Sequence, residues 1–217
     1  MARAIQSRSL DLTPGATYLT KAGGLFAGIM LIVIAQVRAH HPFPQFGLAN
    51  QLTTVRALLV ALVAGLIGEP PHPLMAVSLA LIATTLDGAD GWLARRTRIG
   101  SAFGARFDME IDALLVLVLA ILTWRYGKAG AWVLASGLLR YGFVAAGRVW
   151  PWMRRPLTPS LRGRMICVIQ LAGLMVAIAP TVAQPISSLV AAASLAALCY
   201  SFLVDTLWLR RHVHEPR

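Results

Sequence analysis

The chain has 217 residues, of which 57% are hydrophobic and 13% are charged. A soluble domain carries roughly a quarter charged residues, so this composition excludes an ordinary soluble protein and indicates an integral membrane protein. The 20 lysines and arginines outnumber the 9 acidic residues. In a membrane protein such a surplus marks cytoplasmic loops, so it predicts no nucleic-acid partner.

Apolar blocks predict seven membrane helices. The first block, residues 22–37, follows a polar and basic N-terminal segment and is short for a span. Whether it crosses the membrane or lies in it as a shallow segment stays open, because a full span places Arg3, Arg8 and Lys21 on the less basic side. Six further blocks, each near the ~20 residues of a span, cover residues 52–67, 74–93, 102–124, 129–146, 165–182 and 186–209.

The predicted fold is therefore all-α, a polytopic membrane helical bundle with a six-helix core and an extra N-terminal membrane helix. We place the N-terminal segment and extra helix at residues 1–47 and the main membrane domain at residues 48–217. The joints 38–56, 95–106 and 140–164 and the C-terminal tail hold most of the arginines, which predicts that they face the cytoplasm. We expect Asp205, inside the last block, to pair with an arginine of a neighbouring helix.

Five of the nine acidic residues lie between positions 87 and 112, where one apolar block ends and the next begins. Asp87 and Asp90 share one helix face, and Asp108 and Asp112 share a face of the next helix. The short connection 95–101 folds these helices into a hairpin that brings the four carboxylates together. Converging carboxylates are hard oxygen ligands, so the pattern predicts a site for Mg²⁺ or Mn²⁺ rather than zinc.

The same segment carries a long motif. Residues 87–112 match D-x-x-D-G-x-x-A-R-x8-G-x3-D-x3-D at every fixed position. This string resembles the signature of the CDP-alcohol phosphotransferase (CDP-alcohol phosphatidyltransferase) family. Upstream, residues 50–56 are similar to the N-x-L-T-x-x-R opening of the family's first core helix, so the resemblance covers about residue 50 to the C-terminus.

The resemblance implies a transferase of phospholipid biosynthesis. A CDP-alcohol such as CDP-diacylglycerol donates its phosphoalcohol group to the hydroxyl of an acceptor alcohol, and CMP is released. Asp87, Asp90 and Asp108 are implied to be metal ligands, and Asp112 to be the general base with a metal contact. The residues implied to line the CDP pocket are Asn50, Thr53, Arg56, Gly91, Ala94, Arg95 and Gly104. A homodimer is implied as well.

The acceptor is less well defined. Residues 160–170 are similar to the S-x-x-G-K-x-x-T-x-x-Q segment of glycerophosphate-using family members, with Arg164 in place of Lys and Cys167 in place of Thr. Because an arginine binds phosphate through its forked donors, we predict a phosphorylated acceptor held by Arg140 and Arg164. The alternative is that both arginines only mark cytoplasmic loops, and the identity of the acceptor stays open.

The sequence thus predicts a membrane enzyme of the bacterial inner membrane, surrounded by membrane lipids, with its active site facing the cytoplasm. One alternative is a divalent-cation transporter that uses the aspartate cluster, and another is a noncatalytic scaffold whose acids pair with arginines. Many transporters have duplicated halves with broken helices near mid-membrane. Here the cluster occurs once and at a helix end, which favours the enzyme.

Overall fold

The computed structural model describes residues 15, 17–40, 48–97, 102–154 and 160–211, and every regular element among them is helical. The seven α-helices are α1 Tyr18–His40, α2 Leu48–Gly65, α3 Pro73–Thr97, α4 Ala102–Arg125, α5 Ala135–Val149, α6 Leu161–Ile178 and α7 Ile186–Arg211. Short 3₁₀ turns at Ala131–Leu134 and Pro151–Arg154 flank α5. The predicted all-α fold, with six core helices and one N-terminal helix, is confirmed.

Three of these helices are long and apolar enough to cross a membrane. They are α1 over Tyr18–Ala35, the whole of α6 and the whole of α7, while α2 and α3 contain shorter apolar stretches. Large hydrophobic side chains lie exposed on them, such as Leu31 on α1 and Leu189 on α7, at 68% and 66%. Exposure of this kind suits lipid rather than water, so the chain is an integral membrane protein.

The chain forms two compact units that divide after Val118, within α4. In the first unit, α2 packs against both α1 and α3. Tyr18 and Ala22 of α1 lie against Gly65 at the end of α2, where an added Cβ would come within 3.0 Å of the Tyr18 ring. Because the start of α1 meets the end of α2, the two helices run antiparallel, and glycine allows them to approach closely.

A cluster of polar contacts fixes the same end of α1. The Lys21 ammonium lies 2.6 Å from Glu69 Oε1, in the connection between α2 and α3, and also donates to the carbonyl of Ile67 at 3.3 Å. Thr17 Oγ1 and the Gly15 amide donate to the same carboxylate at 2.9 and 3.1 Å. Lys21, one of the three basic residues that a full span of α1 places on the less basic side, therefore has a carboxylate partner.

In the second unit, α6 packs along α7. The helix α6 begins at Leu161, and the hydroxyl of the preceding Ser160 caps it by accepting a hydrogen bond from the Gly163 amide at 3.1 Å. Arg162 of α6 pairs with Asp205 of α7, which confirms the arginine partner expected for Asp205. At the opposite end of α6, Lys128 donates to carbonyls in the α6–α7 connection, where cations satisfy the unpaired carbonyls of a helix end.

Candidate active site

An arginine lies at the centre of the aspartate cluster. Arg56, on α2, is buried, with only 1% of its side chain exposed. Its Nη1 lies 2.8 Å from Oδ1 of Asp87 on α3, and the same nitrogen contacts Asp108 on α4. Its Nη2 contacts Asp112, one turn further along α4. The guanidinium therefore bridges carboxylates from two helices.

The remaining guanidinium nitrogen has a partner on the backbone. Nε of Arg56 donates to the carbonyl of Ala83 on α3 at 3.2 Å. Ala83 lies one helical turn before Asp87, so this bond fixes Arg56 beside the helix that carries that aspartate. All three nitrogens of the guanidinium, Nε, Nη1 and Nη2, thus contact oxygen atoms of the first unit.

The three aspartates provide the donor set of a cation site. Asp87, Asp108 and Asp112 each offer one carboxylate oxygen, and these oxygens lie within 4.8 Å of one another. The three side chains are 25% to 39% exposed, in contrast to the buried Arg56. Hard oxygen donors that converge and remain accessible fit Mg²⁺ or Mn²⁺. The predicted convergence is confirmed for these three residues, and their role as metal ligands stays a prediction.

Several residues of the motif lie where only the backbone is described. The helical backbone of α3 continues through Asp90, Gly91, Ala94 and Arg95, and their side chains lie outside the described part. The backbone places Asp90 on the same face of α3 as Asp87, three residues further on. The roles predicted for these four residues stay predictions.

The other residues predicted to contact CDP are found on α2 and α4. Asn50 and Thr53 share the buried face of α2 with Arg56, and their side chains are 7% and 4% exposed. Both lie on the N-terminal side of Arg56 within α2. Gly104 is half-buried on α4, one turn before Asp108.

The residues predicted to bind the acceptor belong to the second unit. Arg140 is half-buried on α5, and Arg164 is exposed in the first turn of α6. Gln170, the last residue of the acceptor-like segment, is only 1% exposed, and neither of its amide atoms has a hydrogen-bond partner among the described residues. The acceptor role of the two arginines stays a prediction.

The contacts of Arg56 with the aspartates were not predicted from the sequence, where the family resemblance implies a place in the CDP pocket for this residue. A signal for these contacts was present, because Arg56 is a lone basic residue inside the apolar run of α2. An arginine in such a position needs a carboxylate partner. The aspartates near the end of α3 and the start of α4 are the candidates in the sequence.

Comparison with known proteins gives one result on the identity of the chain. No curated protein and no solved structure matches it. The model of one protein family, CDP-alcohol phosphatidyltransferase, matches residues 46–203. That match covers well over half of the chain and includes the aspartate motif and Arg56. The chain therefore belongs to the CDP-alcohol phosphatidyltransferase family.

Proposed function

We propose that the protein transfers a phosphatidyl or similar phosphoalcohol group from CDP-diacylglycerol, or a related CDP-alcohol, to an acceptor alcohol in phospholipid biosynthesis. The observation that carries this proposal is the convergence of the Asp87, Asp108 and Asp112 oxygens within 4.8 Å, inside the segment that matches the family. The family supports phosphatidyl transfer in general. We propose in addition that CDP-diacylglycerol or a related CDP-alcohol is the donor, that the reaction requires a metal, and that the product enters phospholipid biosynthesis.

The chemistry follows from the groups that are present. Asp87, Asp108 and Asp112 would hold Mg²⁺ or Mn²⁺, with Asp90 as a further ligand. When bound, the ion neutralises charge on the diphosphate and on the CMP leaving group. The acceptor oxygen forms a bond to the phosphorus of the phosphoalcohol group, and the bond from that phosphorus to the CMP oxygen breaks.

Asp112 is the proposed general base. Its Oδ1 contacts Arg56, which holds the carboxylate in place, and a carboxylate has a second oxygen that can accept a proton. That oxygen would take the hydroxyl proton of the acceptor as the new bond to phosphorus forms. General-base assistance of this kind contributes about 10²–10⁴-fold to a rate.

The proposal also covers the acceptor and the cellular setting. A phosphorylated alcohol is supported by the forked donors of Arg140 and Arg164, together with the resemblance of residues 160–170 to glycerophosphate-using relatives. The arginine-rich joints support an inner-membrane protein whose site faces the cytoplasm. A homodimer is proposed from the family resemblance.

The test is release of CMP from CDP-diacylglycerol by the purified full-length protein, with and without Mg²⁺ or Mn²⁺. The acceptor is chosen by screening glycerol 3-phosphate, inositol phosphate, serine and choline. We expect metal-dependent release that Asp87→Asn or Asp108→Asn abolishes. Glu110→Gln is the matched control, because Glu110 is an exposed acid on α4 between Asp108 and Asp112 and should keep its rate.

Two results would contradict the proposal. A transporter or a scaffold would release no CMP under any of these conditions. Near-normal rates at low metal concentration in both aspartate variants would show that these carboxylates do not form a shared metal site.

A further inference from the structure

Arg56 is buried and already paired with protein groups, unlike a side chain that is exposed to bind a substrate. Its side chain is 1% exposed, and its three nitrogens contact Ala83, Asp87, Asp108 and Asp112. These partners belong to α3 and α4, while Arg56 belongs to α2. One guanidinium therefore joins three helices at the level of the aspartate cluster.

The cluster has an electrostatic problem that Arg56 solves. Three carboxylate oxygens within 4.8 Å of one another repel, and repulsion between Asp87 on α3 and Asp108 on α4 pushes these helices apart. A divalent cation cancels the repulsion only while it is bound. A buried guanidinium is permanently charged, so it keeps the carboxylates close before a cation arrives.

Binding of a cation at the same time as Arg56 requires carboxylate oxygens other than those that contact the guanidinium. Arg56 lies on the buried side of the cluster, whereas the carboxylates are 25% to 39% exposed. The contacts of Arg56 given above are made to Oδ1 of each aspartate, and a carboxylate has two oxygens that accept. Among the side chains that the structure describes at the cluster, three carboxylates contact one guanidinium, which leaves an excess of negative charge to attract the cation.

We propose that Arg56 is a positioning residue that holds Asp87, Asp108 and Asp112 at the spacing a divalent cation requires, and so sets the affinity of the site for that cation. This assignment differs from the CDP contact that the family resemblance implies for Arg56. It rests on the proposed function only where CMP release is measured, because cation binding is measured without substrates.

The forked shape of the guanidinium, and not only its charge, is essential to this role. A lysine at position 56 keeps the positive charge but has a single nitrogen, which cannot reach a backbone carbonyl and three carboxylates on two helices together. Arg56→Lys therefore separates positioning from charge. A residue that acted by charge alone would leave cation affinity unchanged in this variant.

The experiment is a titration of the purified full-length protein with Mn²⁺, in which free Mn²⁺ is followed by electron paramagnetic resonance. We expect Arg56→Lys to raise the Kd for Mn²⁺ by about 10–100-fold, the effect usual for residues that orient metal ligands. Arg162→Lys is the matched control, because Arg162 also pairs with an aspartate but lies in the second unit, and its Kd should not change.

A second variant tests whether the loss of Arg56 weakens or strengthens Mn²⁺ binding. Arg56→Gln removes a positive charge that repels Mn²⁺, so a purely electrostatic role predicts tighter binding, whereas a positioning role predicts weaker binding. An unchanged Kd in Arg56→Lys, or a lower Kd in Arg56→Gln, would overturn the proposal. So would failure of both variants to fold while Arg162→Lys folds, because Arg56 would then be a residue of the fold alone.

The kinetic measurement separates this proposal from the predicted CDP contact. At saturating Mn²⁺, we expect Arg56→Lys to show a KM for CDP-diacylglycerol close to the wild-type value, while its kcat stays lowered because Arg56 also holds the carboxylate of Asp112. A raised donor KM at saturating Mn²⁺, with an unchanged Kd for Mn²⁺, would assign Arg56 to the CDP pocket instead. If the wild-type protein releases no CMP, the proposed function fails, and the Mn²⁺ titration still decides the role of Arg56.

Discussion

The close approach of α6 and α7 at Gly173 provides a quantitative test of their packing. A Cβ atom added at Gly173 would lie 2.7 Å from Ser194 Cβ and 2.8 Å from its Oγ, whereas carbon atoms in contact normally lie about 3.5–4.0 Å apart. Rotation of Ser194 moves Oγ but not Cβ, so Gly173→Ala forces the two helices apart. Overpacking costs about 1–3 kcal/mol, and an overlap near 1 Å places this site toward the upper value.

A gain in helix propensity opposes that cost. Alanine is favoured over glycine by about 1 kcal/mol in a helix, so the net loss for Gly173→Ala is about 2 kcal/mol. For a protein of this size we expect the Tm to fall by about 4–8 °C. Thermal unfolding of the detergent-solubilised protein, followed by circular dichroism, measures the change.

Two further variants make the measurement specific. Gly142→Ala is the matched control, because an added Cβ at this helical glycine would meet nothing within 4 Å and should raise the Tm slightly. Ser194→Gly removes the opposing Cβ, so the double variant with Gly173→Ala should be more stable than Gly173→Ala alone. A wild-type Tm in Gly173→Ala, or no recovery in the double variant, would refute the packing described for α6 and α7.

The remaining predictions concern the site and the start of α1. Asp112→Asn should lose about 10²–10⁴-fold in CMP release while it binds CDP-diacylglycerol near normally; a rate within threefold of wild type would exclude Asp112 as the base. Arg164→Lys should raise the KM for a phosphorylated acceptor. Arg164→Ala should raise this KM further, because it loses about 1.5–3 kcal/mol of binding free energy. Steady-state kinetics at saturating donor measures both changes. A hydrogen bond from Lys21 and a weaker effect of the one from Thr17 hold the pKa of Glu69 below its ordinary value of 4.5. This contact therefore stabilises the fold above about pH 4.5 and is lost as the pH falls through the lowered pKa, so Glu69→Gln should flatten the acid side of the Tm profile.

The helices could be predicted from hydropathy, but their ends could not. The apolar block 22–37 became α1 Tyr18–His40, which begins before the block and includes Lys21, whose charge is paired with Glu69. The block 129–146 became a 3₁₀ turn followed by α5 Ala135–Val149. Hydropathy reports which residues avoid water, whereas a helix begins and ends according to capping and contacts with other segments.

The candidate site shows a similar division. The spacing of Asp108 and Asp112 predicts a shared helix face, and the short connection before α4 predicts that Asp87 meets them. Arg56, in contrast, lies 52 residues before Asp108 in the chain, and no local spacing connects the two. Because a buried arginine needs carboxylate partners, the sequence indicates that Arg56 contacts the aspartate cluster. Which nitrogen of Arg56 contacts which aspartate, or the Ala83 carbonyl, depends on how α2, α3 and α4 pack.

Helix α2 contacts both the extra N-terminal helix and the aspartate cluster. One of its ends lies against α1 through Gly65 and the Lys21–Glu69 pair beyond it, and toward its other end Arg56 contacts the aspartates. The helix α1 lies outside the segment that matches the family, and none of the contacts described for it involves the cluster. Among the described residues, α1 contacts α2 and the connection after it, so we expect a change in α1 to reach the aspartates through the position of α2 and of Arg56.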